Sequence, residues 1–251
     1  MPPRHIHISQ NKQDHLTAAK ALSAHLSLLG HPANRDECLV FHLSPYVRPD
    51  ISCAIHDIDV LIQGGGDILN LRERLMDLDP QFVDIGYKLY YITQKPDGEM
   101  VREELLLNSP NNVHVETLSA GSLGLPIAIA STYSTGEAEI DILHPGILIL
   151  TKFKRWSIQH TSTRPKTMRK NASDRSDIQF IIEWLAENGE RIRFDEYEGK
   201  SKPELLAMVR KYRDKYADDD EHMAKLRSIM PDDWDAMLAL PEPDPESALP
   251  P

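Results

Sequence analysis

The chain has 251 residues, of which 41% are hydrophobic and 27% are charged. This balance suits one large domain, or a core domain with a helical extension, that buries a sizeable core. The sequence has no apolar run of membrane-spanning length, no apolar N-terminal leader and only two cysteines, which excludes a disulfide framework. We therefore expect a soluble cytoplasmic protein that keeps its thiols reduced and does not enter membranes.

The first two-thirds of the chain predicts helices and strands in mixed order. Apolar residues at helical spacing predict a helix over residues 11–29, and a second helix is predicted over residues 68–76. Short apolar runs predict strands over residues 38–43, 51–63, 88–93, 113–118 and 139–143. The glycines of Gly64-Gly65-Gly66 indicate a flexible turn, and residues 100–107 have strand or mixed character.

The last third is predicted to be mainly helical. A helix over residues 147–156 follows Pro145, and Ser173 is predicted to cap the next helix, which ends near Gly189. Asp174 and Asp177 are expected to cap and charge the start of that helix. Residues 190–198 suggest a small β segment, and a capping box at Ser201 marks a further helix start. We expect an α/β core over residues 1–145, a helical region over 146–240 and a disordered tail over 241–251.

Charge is distributed unevenly along the chain. The net charge of −11 disfavours a long polyanion as ligand, yet residues 142–173 contain no Asp or Glu and seven Lys or Arg. A basic patch on an acidic body suggests a compact anion such as a triphosphate. A solvated helix face remains an equally good interpretation of the same residues.

Two carboxylates stand on one predicted strand. Side chains alternate between faces in a strand, so Asp57 and Asp59 point the same way while Ile58 and Val60 point to the other face. Two carboxylates on one face repel each other, and a divalent cation removes that cost. Two solvent-facing aspartates at a strand end are the plainer alternative, because the Asp-x-Asp pattern is common.

This strand carries a resemblance to a known family. The segment Asp57-Ile58-Asp59-Val60-Leu61-Ile62 resembles the Asp-hydrophobic-Asp strand of DNA polymerase beta-type nucleotidyltransferases, and is most similar to the toxin-type nucleotidyltransferases of abortive-infection systems. The segments Leu71-Arg72-Glu73-Arg74-Leu75 and Leu148-Ile149-Leu150-Thr151-Lys152-Phe153-Lys154-Arg155-Trp156 extend the resemblance. It implies an α/β (α+β) fold, with a mixed sheet, flanking helices and a C-terminal helical region.

The resemblance also implies a chemistry. Proteins of this kind transfer an NMP group from an NTP with Mg²⁺ or Mn²⁺, here to an unknown acceptor that is a small molecule, RNA or protein. The third carboxylate is expected at Glu116, in the predicted strand of residues 113–118, with Asp141 as its competitor. Asp57, Asp59 and Glu116 are thus the expected metal ligands and catalytic residues. The expected phosphate contacts are Ser44, Lys152, Lys166 and Lys170.

The sequence departs from the family pattern in the phosphate-binding loop. The family places glycines between its first strand and a short helix, whereas residues 41–46 contain none, and Ser44 is a partial substitute. The Arg and Thr that the family has before the first Asp are replaced by Cys53 and Ile55. These departures predict weak transfer. A degenerate nucleotide-binding protein and a protein-interaction module therefore stay open as alternatives.

Overall fold

The computed structural model describes residues 6–29, 39–42, 57–63, 68–93, 106–122, 125–134 and 140–241. The chain divides into two compact units, Met1–His144 and Pro145–Pro251. The first unit contains the sheet and the second is helical. Several sequence predictions lie outside the described residues: those for Ser44, for both cysteines, for the Gly64-Gly65-Gly66 turn, for residues 51–56 of the second predicted strand and for residues 242–251 of the tail.

The N-terminal unit is built on a seven-stranded mixed sheet with the order β3-β4-β5-β2-β1-β7-β6. Its strands are β1 (Leu39–His42), β2 (Asp57–Ile62), β3 (Phe82–Ile85), β4 (Lys88–Ile92), β5 (Asn112–Ser119), β6 (Thr132–Ser134) and β7 (Asp141–Leu143). Strand β2 is parallel to β5, and β1 is parallel to β7. The remaining neighbours are antiparallel. The mixed sheet that the sequence predicted is therefore confirmed.

One face of this sheet is covered by two helices, α1 (Lys12–Leu29) and α2 (Ile68–Leu78). Ile58, Val60 and Ile62 of β2 pack into the same core cluster as Leu22 of α1 and Leu75 of α2. The alternation of β2 therefore sends Ile58, Val60 and Ile62 under the helices and leaves Asp57 and Asp59 for the other face.

The other face has a smaller apolar cluster at the β3–β4 edge. Its buried members are Val83, Tyr90, Ile92 and Leu106. Residues 106–108 are helical, which corrects the strand or mixed character predicted for residues 100–107 at its described end, and residues 100–105 lie outside the described residues. Strand β3 was not predicted from the sequence. Phe82 and Val83 are buried on opposite faces, so its four residues lack the alternation of a half-exposed strand.

The C-terminal unit consists of helices α3 (Pro145–Gln159), α4 (Pro165–Glu187), α5 (Lys202–Lys215), α6 (Asp220–Ser228) and α7 (Pro231–Leu238), with a 3₁₀ turn at Phe194–Glu196. Its core contains an aromatic group in which Tyr212 meets Phe153 and Trp156 edge-on, with ring centroids 5.2 and 5.1 Å away. All three side chains are buried. Edge-to-face aromatic packing of this kind stabilises a core beyond the area it buries.

Two sequence predictions for this unit are wrong. Helix α4 begins at Pro165 rather than after Ser173, because proline at the first helical position has its φ already set for a helix. Residues 190–198 form no strand, and the 3₁₀ turn takes their place. The capping box at Ser201 is confirmed: the Glu204 carboxylate accepts hydrogen bonds from the backbone N–H and the hydroxyl of Ser201.

Within the described residues, no helix is long and apolar enough to cross a membrane.

Candidate metal centre

Three carboxylates meet on the sheet face that α1 and α2 leave uncovered. Asp57 and Asp59 lie on β2, and Glu116 lies on the neighbouring parallel strand β5. Each offers one carboxylate oxygen, and these oxygens all lie within 4.8 Å of one another. Both aspartates are half-buried and Glu116 is exposed, so solvent reaches the group.

The pairing of β2 with β5 explains why these residues meet. Asp59 is directly opposite Glu116 in the register, and Asp57 is opposite His114. Residues opposite each other on neighbouring strands point to the same face. Val113 and Val115 of β5 point into the helix-covered core, so Glu116 must point away from it. A register slip of one residue would bury Glu116 and separate the three carboxylates.

The chemistry of the cluster fits a hard divalent cation. Mg²⁺ and Mn²⁺ prefer carboxylate oxygens, and Mg²⁺ keeps several positions for water or substrate phosphates. Three negative groups at this spacing repel one another, and a bound cation would offset that repulsion. The donor set is therefore compatible with a divalent cation.

Two further residues on this face escaped the sequence analysis. His114 is half-buried and its ring packs against Tyr90, with ring centroids 5.3 Å apart. Burial lowers the pKa of His114, while Asp57 raises it and Lys88 lowers it. Lys88 begins β4, the other neighbour of β5. The alternation in His114-Val115-Glu116 could have indicated His114, but only the pairing of β4 with β5 brings Lys88 to this face.

Asp141, the competitor for the third carboxylate, is not part of the cluster. It is exposed at the start of β7, and β1 separates β7 from β2. Two strand spacings amount to about 10 Å across a sheet, so Asp141 and Asp57 are too far apart to bind the same metal ion.

Comparison with solved structures assigns the fold. The structure of an antigenic nucleotidyltransferase-like protein from Paracoccidioides brasiliensis superposes with a TM-score of 0.57, covering 87% of this chain and 97% of that one. The fold is nucleotidyltransferase-like. At 14% sequence identity, this similarity concerns the fold alone. The sequence matches no family model and no curated protein.

The basic side chains of the helical unit, several of which were expected to contact phosphate, differ in their surroundings. Lys152 on α3 is buried, and its ammonium lies 2.8 Å from Asp177 on α4. Arg155 is bound in the same way to Asp174, whose side chain is fully buried. The two acids thus lie within α4 and pair with α3 rather than starting a helix. Lys152 and Arg155 of α3 therefore form ion pairs with α4 in their own unit.

Lys166 and Lys170 remain available at the surface. Both are exposed and stand one helical turn apart near the start of α4. Their role as phosphate contacts stays a prediction. Ser44, the remaining expected contact, lies outside the described residues.

Proposed function

We propose that the protein is a metal-dependent nucleotidyltransferase that transfers an NMP group from an NTP to a hydroxyl or similar acceptor. The observation that carries this proposal is the convergence of Asp57, Asp59 and Glu116 on an open face of a nucleotidyltransferase-like fold. Nucleotidyl transfer needs neutralisation of the charge that develops on the phosphates, and a carboxylate cluster that holds Mg²⁺ or Mn²⁺ supplies it.

The three carboxylates would have different roles, which follow from their exposure. Asp57 and Asp59, both half-buried, are the residues that would hold the cation. Glu116 is exposed beside them and would complete the site and accept the proton of the acceptor hydroxyl. The acceptor oxygen bonds to the α-phosphorus as the bond to the bridging oxygen of the β-phosphate breaks, and pyrophosphate leaves. The bound cation supplies charge neutralisation at the phosphates.

A second candidate is a protein that binds metal and nucleotide with little or no transfer. Two observations favour it. Residues 41–46 lack the glycines whose backbone N–H groups hold a triphosphate in the family that the sequence resembles, and the ammonium of Lys152 is occupied by Asp177. Loss of one well-placed anion donor costs about 3 kcal/mol, a factor of roughly a hundred in rate. Loss of several would reduce transfer far more than metal binding.

Paired assays on one preparation separate the candidates. Transfer from radiolabelled ATP, GTP, CTP and UTP is measured against a pool of small-molecule, RNA and protein acceptors. Calorimetric titration with Mn²⁺ measures metal binding. We expect the Asp59→Ala variant to lose both, while Asp141→Ala, which removes a carboxylate outside the cluster, retains both.

The outcomes are distinct. Transfer that Asp59→Ala abolishes supports the enzyme. Mn²⁺ binding without transfer supports the second candidate. If the wild-type protein binds no Mn²⁺ and transfers nothing, both proposals are wrong, and a protein-interaction module is left.

A further inference from the structure

A cation of the N-terminal unit lies beside the carboxylate cluster. Lys88 is the first residue of β4 and is exposed. Leu89 pairs with Val115, and these strands are antiparallel, so the preceding Lys88 lies level with Glu116. Leu89 and Val115 both point into the helix-covered core. Side chains alternate along a strand, so Lys88 and Glu116 share the opposite face, with backbones about 5 Å apart.

The position of Lys88 is fixed by a tight turn. Ile85 pairs with Lys88, and the two residues between them, Gly86 and Tyr87, both have positive φ, at 59° and 68°. Two consecutive positive φ values are the signature of a type I′ hairpin, whose twist matches that of the strands it joins. The hairpin sets the register of β4, and a slip of one residue would turn Lys88 into the core.

A buried arginine ties this turn to the strand that carries Glu116. The Arg72 guanidinium donates to the Tyr87 carbonyl at 2.8 Å and to the Thr117 hydroxyl at 2.7 Å, and reaches the Asp84 carboxylate at 3.3 Å. Arg72 is 9% exposed. Thr117 is next to Glu116 in sequence, so the backbones of the lysine and of the carboxylate are held against each other before any ligand binds.

The ammonium group of Lys88 is also available to a ligand. Among the residues that the structure describes, none forms an ion pair with it within 4.0 Å. A lysine beside a cation site is electrostatically costly when a metal binds alone. The cost reverses when a polyphosphate accompanies the metal, because phosphate oxygens then face the ammonium.

We propose that Lys88 contacts the phosphate oxygens of the nucleotide whose metal is held by Asp57, Asp59 and Glu116. This rests on the proposed nucleotide binding at that cluster. This phosphate contact would come from the sheet, whereas the sequence predicted phosphate contacts only at Ser44 and at lysines of the helical unit. The ligand class is a metal-bound nucleoside triphosphate, and the contact is independent of the base.

The test compares two ligands on the full chain by calorimetry. Mn²⁺ alone is titrated first, and α,β-methylene analogues of ATP and GTP are then titrated at saturating Mn²⁺. The variants are Lys88→Ala, Lys88→Arg and Lys20→Ala. Lys20 is an exposed lysine on α1, on the covered side of the sheet, so its loss changes net charge equally without touching the site.

We expect Lys88→Ala to tighten Mn²⁺ binding and to weaken binding of both analogues by about tenfold, the effect of losing one charged hydrogen bond. Lys88→Arg keeps the positive charge and should retain most of the nucleotide affinity. Lys20→Ala should change neither. The loss in Lys88→Ala should also shrink as salt rises, because an exposed charge is screened.

Three results overturn the proposal. If Lys88→Ala binds the analogues as tightly as the wild type, while Asp59→Ala abolishes that binding, Lys88 makes no phosphate contact and the proposed function stands. If Lys88→Ala tightens binding of both Mn²⁺ and the analogues, Lys88 serves only as a counter-charge to the carboxylates. If the wild type binds neither analogue, the nucleotide site itself is absent.

Discussion

Replacing Asp57 by Asn should change the stability of the sheet in opposite directions without and with a divalent cation. Without metal, the variant removes one charge from three whose oxygens lie within 4.8 Å of one another. Two charges at that distance repel by about 0.9 kcal/mol in water and about 3.5 kcal/mol at an effective dielectric constant of 20. Asp57 is only half-buried, so the lower value applies. Asp57→Asn should therefore stabilise the metal-free protein by about 1–2 kcal/mol.

With metal, the order reverses. A ligand at a hundred times its dissociation constant stabilises the folded state by about 2.7 kcal/mol. The amide of Asn is a neutral and weaker ligand for Mg²⁺ or Mn²⁺ than a carboxylate, so the variant loses most of that gain. In excess Mn²⁺ the wild type should be the more stable of the two by about 1 kcal/mol or more.

The assay must report on the sheet rather than on the helical unit. All three tryptophans lie in the C-terminal unit, so tryptophan fluorescence follows the wrong part of the chain. Hydrogen exchange of the backbone amides of β2 and β5, measured with EDTA and with Mn²⁺, gives the local free energy of opening. Asp141→Asn is the matched control, because it removes an exposed carboxylate of the same unit outside the cluster.

Two results would refute this reasoning. If Asp57→Asn is less stable than the wild type in EDTA, the carboxylate is held by stabilising contacts rather than strained by its neighbours. If Mn²⁺ protects β2 equally in wild type, Asp57→Asn and Asp141→Asn, the cation binds elsewhere.

The remaining predictions concern the helical unit. Arg155→Ala should destabilise it by about 3–5 kcal/mol in urea denaturation at pH 7, because it leaves the fully buried Asp174 without its partner. Asp174→Asn should cost less, since the Arg155 side chain is 38% exposed and reaches water. Burial lowers the pKa of His222, with Asp219 opposing the shift, so its contribution to stability should be complete above pH 6.5 and be lost as the pH falls through the lowered folded pKa. The urea midpoint of His222→Gln, measured from pH 7.5 to 5, should depend less on pH than that of the wild type.

Each of these has a built-in control. The Arg155→Ala, Asp174→Asn double variant should recover part of the loss of Arg155→Ala, and simple additivity would show that the pair is not coupled. Tyr212→Phe removes the 2.9 Å hydrogen bond to His222 but leaves the imidazole buried. Tyr212→Phe should lower the urea midpoint without abolishing its pH dependence. If the urea midpoint changes with pH equally in the wild type and in His222→Gln, His222 is not the group that makes stability depend on pH.

The boundaries of the helical unit show where local rules work and where they fail. Ser201 and Glu204 are three residues apart, so the start of α5 depends on local chemistry that the sequence displays directly. Ser173 has the same cap-forming chemistry, yet it lies inside α4. Asp174 and Asp177 were expected to charge a helix start, and they pair with Arg155 and Lys152 of α3 instead. Tertiary pairing decided their role, and a local pattern cannot display it.

At the carboxylate site, too, local sequence determined one part of the geometry and tertiary structure the other. The alternation of apolar and acidic residues in β2 determined that Asp57 and Asp59 share a face, because a strand has a period of two. The parallel pairing that sets Glu116 opposite Asp59 joins residues 57 positions apart, and within the sequence only the resemblance to nucleotidyltransferases indicated it. The place of Lys88 beside them depends on the β3–β4 hairpin and on the Arg72 bonds that hold it. Neighbours along the chain follow from local geometry, whereas neighbours across strands follow from a register that the whole core must satisfy.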